Sequence, residues 1–159
     1  MIEINNLTTN PVDEEFLRKV VKKVLKKENK EGADLSIALV GQGRMRKLNK
    51  KYKRKNRVTD ILAFPDKDAT HPSPSQPSVG PPGLGEIVIC LSEVKKNARR
   101  FGLPSQILQG KTWEGEAFEK ELATCLIHGI LHLLGYNHEK SEMGAEKMRK
   151  KEEYYLSKI

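Results

Sequence analysis

Three of the four histidines of this chain fall in one short run, His128-Gly129-Ile130-Leu131-His132-Leu133-Leu134-Gly135-Tyr136-Asn137-His138, inside a stretch that otherwise reads as a buried helix. Residues four apart on a helix share a face about one turn apart, so His128 and His132 can aim their imidazoles at one ion. Gly135 then supplies a stop. Glycine accepts the left-handed conformation that ends a helix, which lets the chain turn back and bring in His138 as a third ligand. Three protein nitrogens leave the fourth tetrahedral position of a zinc ion open, the arrangement of a catalytic site and not of a closed structural one. Three core histidines without a metal would each bury a polar ring in need of a partner.

The spacing matches the zinc-protease pattern H-E-x-x-H-x-x-G-x-x-H at every histidine and at the glycine. It departs at Gly129, where such proteases carry the glutamate that serves as general base. A zincin-like metalloprotease is therefore a second reading, opposed by Gly129, and the chemistry is to be sought elsewhere in the chain. Cys125, one turn before His128, is either a thiolate ligand or, as for most buried free cysteines, a small hydrophobe.

With 159 residues the chain has room for one domain, 1–159, with a sizeable core. There is no N-terminal apolar stretch of the secretory type, and the longest apolar run, near Cys125 to Gly135, is too short to span a bilayer. The expectation is a cytoplasmic protein with no membrane partner. Cys90 and Cys125 form no C-x-x-C pair and read as reduced core thiols. The net charge of +8 is concentrated: nine basic residues and no acidic one lie between Arg44 and Arg57. A solvated helix face normally mixes signs, so a block of one sign points to a polyanion whose phosphates neutralise it, against the plainer reading of a solubilising surface.

Ile2 and Ile4 alternate with polar residues in a first strand, Met1 to Leu7. Asp13 is placed to cap a helix in which Phe16, Leu17, Val20, Val21, Val24 and Leu25 recur opposite lysines. Gly32 breaks it, and Leu35 to Val40 is a buried strand. The basic segment is a short helix with Met45, Leu48 and Tyr52 as its apolar stripe. Val58 to Phe64 is a third strand, stopped by Pro65. Six of the eight prolines lie from Pro65 to Pro82, so about 65–84 is a surface loop, with His71 exposed in it. Glu86 to Cys90 is a fourth strand, and Ser92 caps a helix to about Phe101, ended by Gly102 and Pro104. A loop through Trp113 leads to a central helix, about Gly115 to Leu134, apolar all round, whose histidines are expected to be desolvated. A last helix, Ser141 to Leu156, packs Met143, Met148 and Tyr155. Together these make an α+β fold: a small mixed four-stranded sheet packed with about five helices, the central buried one carrying the metal ligands.

The order of motifs resembles the YbeY family of metal-dependent endoribonucleases of ribosomal RNA maturation. The resemblance runs along nearly the whole chain and rests on Leu48-Asn49-Lys50-Lys51-Tyr52 leading to Thr59-Asp60-Ile61-Leu62-Ala63-Phe64-Pro65, on Leu84 to Cys90, and on His128 to His138. It implies zinc on the three histidines and a single-strand-selective endoribonuclease of ribosomal RNA maturation and ribosome quality control. The implied partners are ribosomal RNA and ribosomal subunits, not DNA. Arg44, Lys47, Lys50, Lys51 and Arg57 are then the RNA-binding residues. Members usually carry Tyr-Arg-Gly after the basic helix, with that arginine implicated in cleavage; here the tripeptide is Tyr52-Lys53-Arg54. Either Arg54 acts from one position along, which is the first expectation, or Lys53 serves as a point charge without the guanidinium fork. Asn137 and Glu86 stand where the family usually has Asp, which leaves the support of the ligands open. A non-enzymatic, ribosome-associated protein with a structural metal is the remaining alternative.

Overall fold

The computed structural model describes residues 1–66, 83–101 and 115–159. The element order is β1 (Ile2–Asn6), α1 (Glu14–Lys27), β2 (Asp34–Val40), α2 (Gln42–Lys53), β3 (Ile61–Pro65), β4 (Gly83–Cys90), α3 (Leu91–Phe101), α4 (Glu116–Leu133) and α5 (Glu142–Leu156). The strands form one mixed sheet in the order β1-β2-β4-β3, with β1, β2 and β4 parallel and β3 antiparallel to β4. The fold is α+β, as the alternation of periods implies.

The period of two along each strand sorts the core into two layers. Leu35, Ile37, Leu39, Ile87 and Ile89 face α1 and α4, joining Leu17, Val20, Val21, Val24, Leu126, Ile127 and Ile130 in the main core. Ala38, Val40, Leu62, Val88 and Cys90 face the other way, onto Met45 of α2. The second layer is small, because α2 offers the sheet so few apolar side chains. Asp13 caps α1 as expected, accepting from the Phe16 amide at 2.9 Å.

Several boundaries differ from the sequence reading. β3 begins at Ile61 and not at Val58, because its partner β4 ends at Cys90: the Cys90 amide bonding Asp60 O at 2.8 Å is the end of the ladder. Pro65 closes β3 as its last residue, tolerated on an edge strand where no ladder donor is missed. β4 starts at Gly83, three residues before the expected Glu86. It runs straight into α3, so Ser92 lies inside the first turn and is not the cap. Met143 is 83% exposed, and α5 is held by Met148 and Tyr155 alone of the three residues expected. Most of the expected proline-rich loop, with His71, and the loop to Trp113 lie outside the described residues. Among the described residues no helix is long and apolar enough to cross a membrane.

Candidate metal centre

α4 buries Leu122, Ala123, Leu126, Ile127, Ile130 and Leu131, yet one edge of it, from Glu121 through Cys125 to His128 and His132, faces the side of the sheet where β3 is the last strand. Its histidines are half-buried and not fully desolvated, and His138 is exposed. Burial, and then the neighbouring His128 and His138 rings, still hold the His132 imidazole below its ordinary pKa, which keeps it neutral and able to donate a lone pair.

Gly135 ends the helix as the sequence implies. It sits at φ +95°, with its amide on His132 O at 3.0 Å and the Tyr136 amide on Leu131 O at 3.0 Å, the paired bonds of a Schellman motif. The chain then doubles back. Asn137 Oδ1 accepts from the Glu139 amide at 2.7 Å and so shapes the turn around His138. That is an acceptor's role, which the amide fills as an aspartate would.

One ligand atom from each of His128, His132 and His138 lies within 4.8 Å of the others, and the two Nε2 atoms of His128 and His132 are 3.0 Å apart. Bonds of about 2.0 Å in a tetrahedron set ligand nitrogens roughly 3.3 Å apart, so the helical pair is already close to a bite distance, with His138 within 4.8 Å of it. Imidazole nitrogens suit zinc, copper, iron or nickel and not the hard magnesium and calcium ions. Orientation is supplied from outside the trio. Glu152 of α5 meets His128 Nδ1 at 2.5 Å, which leaves Nε2 facing His132.

Cys125 is not part of this group. Its thiol is buried, directed at Asp60 Oδ2 at 3.8 Å, and burial followed by the Asp60 charge pushes it well above the ordinary thiol pKa, the opposite of what a thiolate ligand needs. Gly129 faces the sheet. A Cβ there would lie 2.7 Å from Ile61 Cδ1 and 3.1 Å from Ile87 Cδ1, so a glutamate at this position would have to displace those side chains, and the glycine lets α4 approach the strands closely.

The histidines form one wall of a cleft of about 500 Å³. Ile61, Ala63 and Pro65 of β3 line it as well, together with Lys53, Lys55, Arg57, Thr59 and Asp60. Asn49 ties down the segment from Lys55 to Arg57. It is the buried polar residue of α2, at 2% exposure; its Nδ2 donates to Arg57 O at 2.9 Å and its own carbonyl accepts from the Lys55 amide. Arg54 caps α2 in the left-handed region, φ +56°, and is not among the residues that line the cleft. Lys47, Lys50 and Lys51 are exposed on α2, and Arg44 borders a second groove with Tyr52, Phe64 and Glu86 on the other face of the sheet, so Glu86 plays no part in supporting the histidines. Among the described residues none of the nine cations from 44 to 57 is ion-paired.

The family model for endoribonuclease YbeY matches residues 3–159. The chain belongs to the endoribonuclease YbeY family. It is 41% identical over 125 residues to the endoribonuclease YbeY of Thermodesulfovibrio yellowstonii, covering 79% of this chain and 66% of that protein. It is 34% identical to that of Carboxydothermus hydrogenoformans, covering 100% of this chain and 97% of the relative. The solution structure of TM1509 from Thermotoga maritima superposes with a TM-score of 0.60 at 28% identity, over 98% of this chain and 87% of that one. Against the family's Tyr-Arg-Gly, Arg54 stands at the glycine, and its positive φ is the conformation that glycine adopts freely.

Asp60, Glu152 and Asn49 were not singled out by sequence reasoning as site residues. Asn49 carried a signal, since it interrupts the apolar stripe between Met45 and Tyr52. Glu152 carried none, because its contact spans two helices.

Proposed function

We propose that this chain is a zinc-dependent endoribonuclease that cuts single-stranded RNA, acting in the cytoplasm on ribosomal RNA and ribosomal subunits. The observation that carries the reading is a single cleft lined both by three clustered histidine rings and by Lys53, Lys55 and Arg57, three cations without an ion-pair partner among the described residues. A bound zinc would supply Lewis acidity at the phosphoryl group and a lowered pKa for the attacking water, so no separate strong base is obligatory.

The chain's own residues do the rest. His128, His132 and His138 would hold the ion, with Glu152 fixing the His128 tautomer. Lys53 and Arg57 would meet the non-bridging oxygens of the scissile phosphate, where charge builds up in phosphoryl transfer. Arg44, Lys47, Lys50 and Lys51 would follow the backbone on either side. Between the two candidates for the cleavage cation we assign the role to Lys53, whose side chain lines the cleft, and we give Arg54 a supporting part in binding.

The test is to incubate metal-loaded and chelator-stripped protein with purified ribosomal RNA and with casein. Metal-dependent cutting of RNA alone is expected. Cutting of casein would support the protease reading, and cutting of neither substrate would support a ribosome-associated protein with a structural metal.

A further inference from the structure

We infer that Glu28, far from the histidines in sequence, is a positioning residue for the metal centre: its carboxylate holds together the two pieces of chain that aim the ligands. The inference rests on the reading of His128, His132 and His138 as metal ligands.

Glu28 is out of place by local rules. It follows the last residue of α1, where the helix macrodipole is negative and the preceding Lys26 and Lys27 are the favoured type. A carboxylate at that point is disfavoured unless a tertiary partner holds it, and this one has three. Tyr136 Oη donates to it at 3.1 Å, Lys151 Nζ at 2.7 Å, and Tyr155 Oη completes the set. The Glu28 side chain is only 11% exposed, and Tyr155 is fully buried. Desolvation by itself would raise the Glu28 pKa, but the hydrogen bonds from Lys151, Tyr155 and Tyr136 together outweigh it and keep the carboxyl below its ordinary value.

Each donor sits next to something that aims a histidine. Tyr136 lies between the helix stop at Gly135 and His138, and its amide bonds Leu131 O next to His132. Its own ring is held by Lys147 and Lys151, whose ammonium groups lie 5.5 and 5.7 Å from the ring centre. Lys151 directly precedes Glu152, the partner of His128 Nδ1, and Lys151 and Tyr155 share a face of α5 at i,i+4 spacing. The carboxylate of Glu28 thus fixes α5 relative to the His132–His138 turn. Without it, the groups orienting His128 on one side and His132 and His138 on the other are no longer tied to one another through this carboxylate.

The test compares wild type with Glu28→Gln, which keeps the shape but removes the charge, and Tyr136→Phe, which removes a single hydroxyl. Zinc affinity is measured by chelator competition, ligand geometry by the visible bands of cobalt substituted for zinc, and folding by thermal melting of the metal-free protein. Both variants are expected to bind zinc about tenfold more weakly, the lower end for groups that orient ligands, with altered cobalt bands. For Tyr136→Phe the metal-free melting point should stay near wild type. Should Glu28→Gln fail to fold, Tyr136→Phe carries the test alone. Wild-type affinity and bands in the folded variants would overturn the inference and leave Glu28 a purely structural clamp. Absence of cobalt or zinc uptake by the wild type would instead overturn the histidine reading itself, and the inference with it.

Discussion

Arg54 and Lys53 show how adjacent cations can be placed differently: Lys53 lines the cleft and Arg54, in the left-handed region, does not. A non-glycine residue in the left-handed region carries a cost of about 1–2 kcal/mol, and Arg54 bears it at φ +56°. Nothing in the string Tyr52-Lys53-Arg54 announces this, so the sequence leaves two cations equally eligible and the guanidinium looks the better phosphate ligand. With Lys53 on the cleft wall, Lys53→Ala should lower turnover on RNA by about two to three orders of magnitude, the scale of removing one transition-state donor, with zinc content unchanged. Lys53→Arg should preserve cleavage, and Arg54→Gly should be neutral or slightly stabilising. Steady-state kinetics with melting curves check all three; loss of turnover in Arg54→Gly with retention in Lys53→Ala would return the role to Arg54. The histidines, by contrast, are legible residue by residue, because a helix converts a spacing of four into a shared face without help from the rest of the fold. Their pH dependence follows in sign: protons compete for neutral ring nitrogens, and the His132 pKa is lowered, so zinc affinity should be flat above about pH 6.5 and fall below it. Isothermal titration from about pH 5 to about pH 8, the range in which imidazole titrates, measures this. A His128→Ala, His132→Ala double variant that kept its zinc would remove the assignment.

Among the elements, α4 is the one on which both fold and site depend. Its apolar residues mark it as central from sequence alone, but sequence periodicity does not reveal that Glu121, Cys125, His128 and His132 share one edge, because Cys125 counts as apolar and Glu121 is two turns from the first histidine. Gly129 reads in the sequence as a missing base; in the fold it is the place where helix and sheet meet. Gly129→Val would add three carbons where Ile61 and Ile87 already lie within 3.2 Å, and should cost about 1–3 kcal/mol, the usual penalty of overpacking. Urea denaturation of the metal-free protein checks it; an unchanged midpoint would show that Ile61 swings aside freely. Glu152 stays hidden at this scale, since the pairing of α5 with α4 is a tertiary fact and the exposed Met143 misleads about which face of α5 packs.

For the whole molecule, the alternation of strand and helix periods yields four strands and five helices, yet not their order. The neighbours β2 and β4 are separated by α2 and β3 in the chain, and no local signal records a partner so distant. Charge is legible, because a run of nine cations without an acid survives any folding. What folding adds is its division between Lys53, Lys55 and Arg57 at the cleft and Lys47, Lys50 and Lys51 outside it. Charge reversal at those three outer lysines should weaken RNA binding and flatten the plot of log affinity against log salt by roughly 0.7 for each single-strand phosphate that is no longer neutralised. Filter binding at several salt concentrations reads the slope, and an unchanged one would mean that the outer face of α2 is only solvated. The residues that would hold the metal hang on α4 and the turn after it, while those that would hold phosphate lie at the end of α2 and in the short loop that Asn49 ties down. The two are therefore separable under selection: substitutions at residue 55 can change how strongly an RNA is gripped while the histidines still load their ion, so this scaffold can retune its grip without having to rebuild its chemistry.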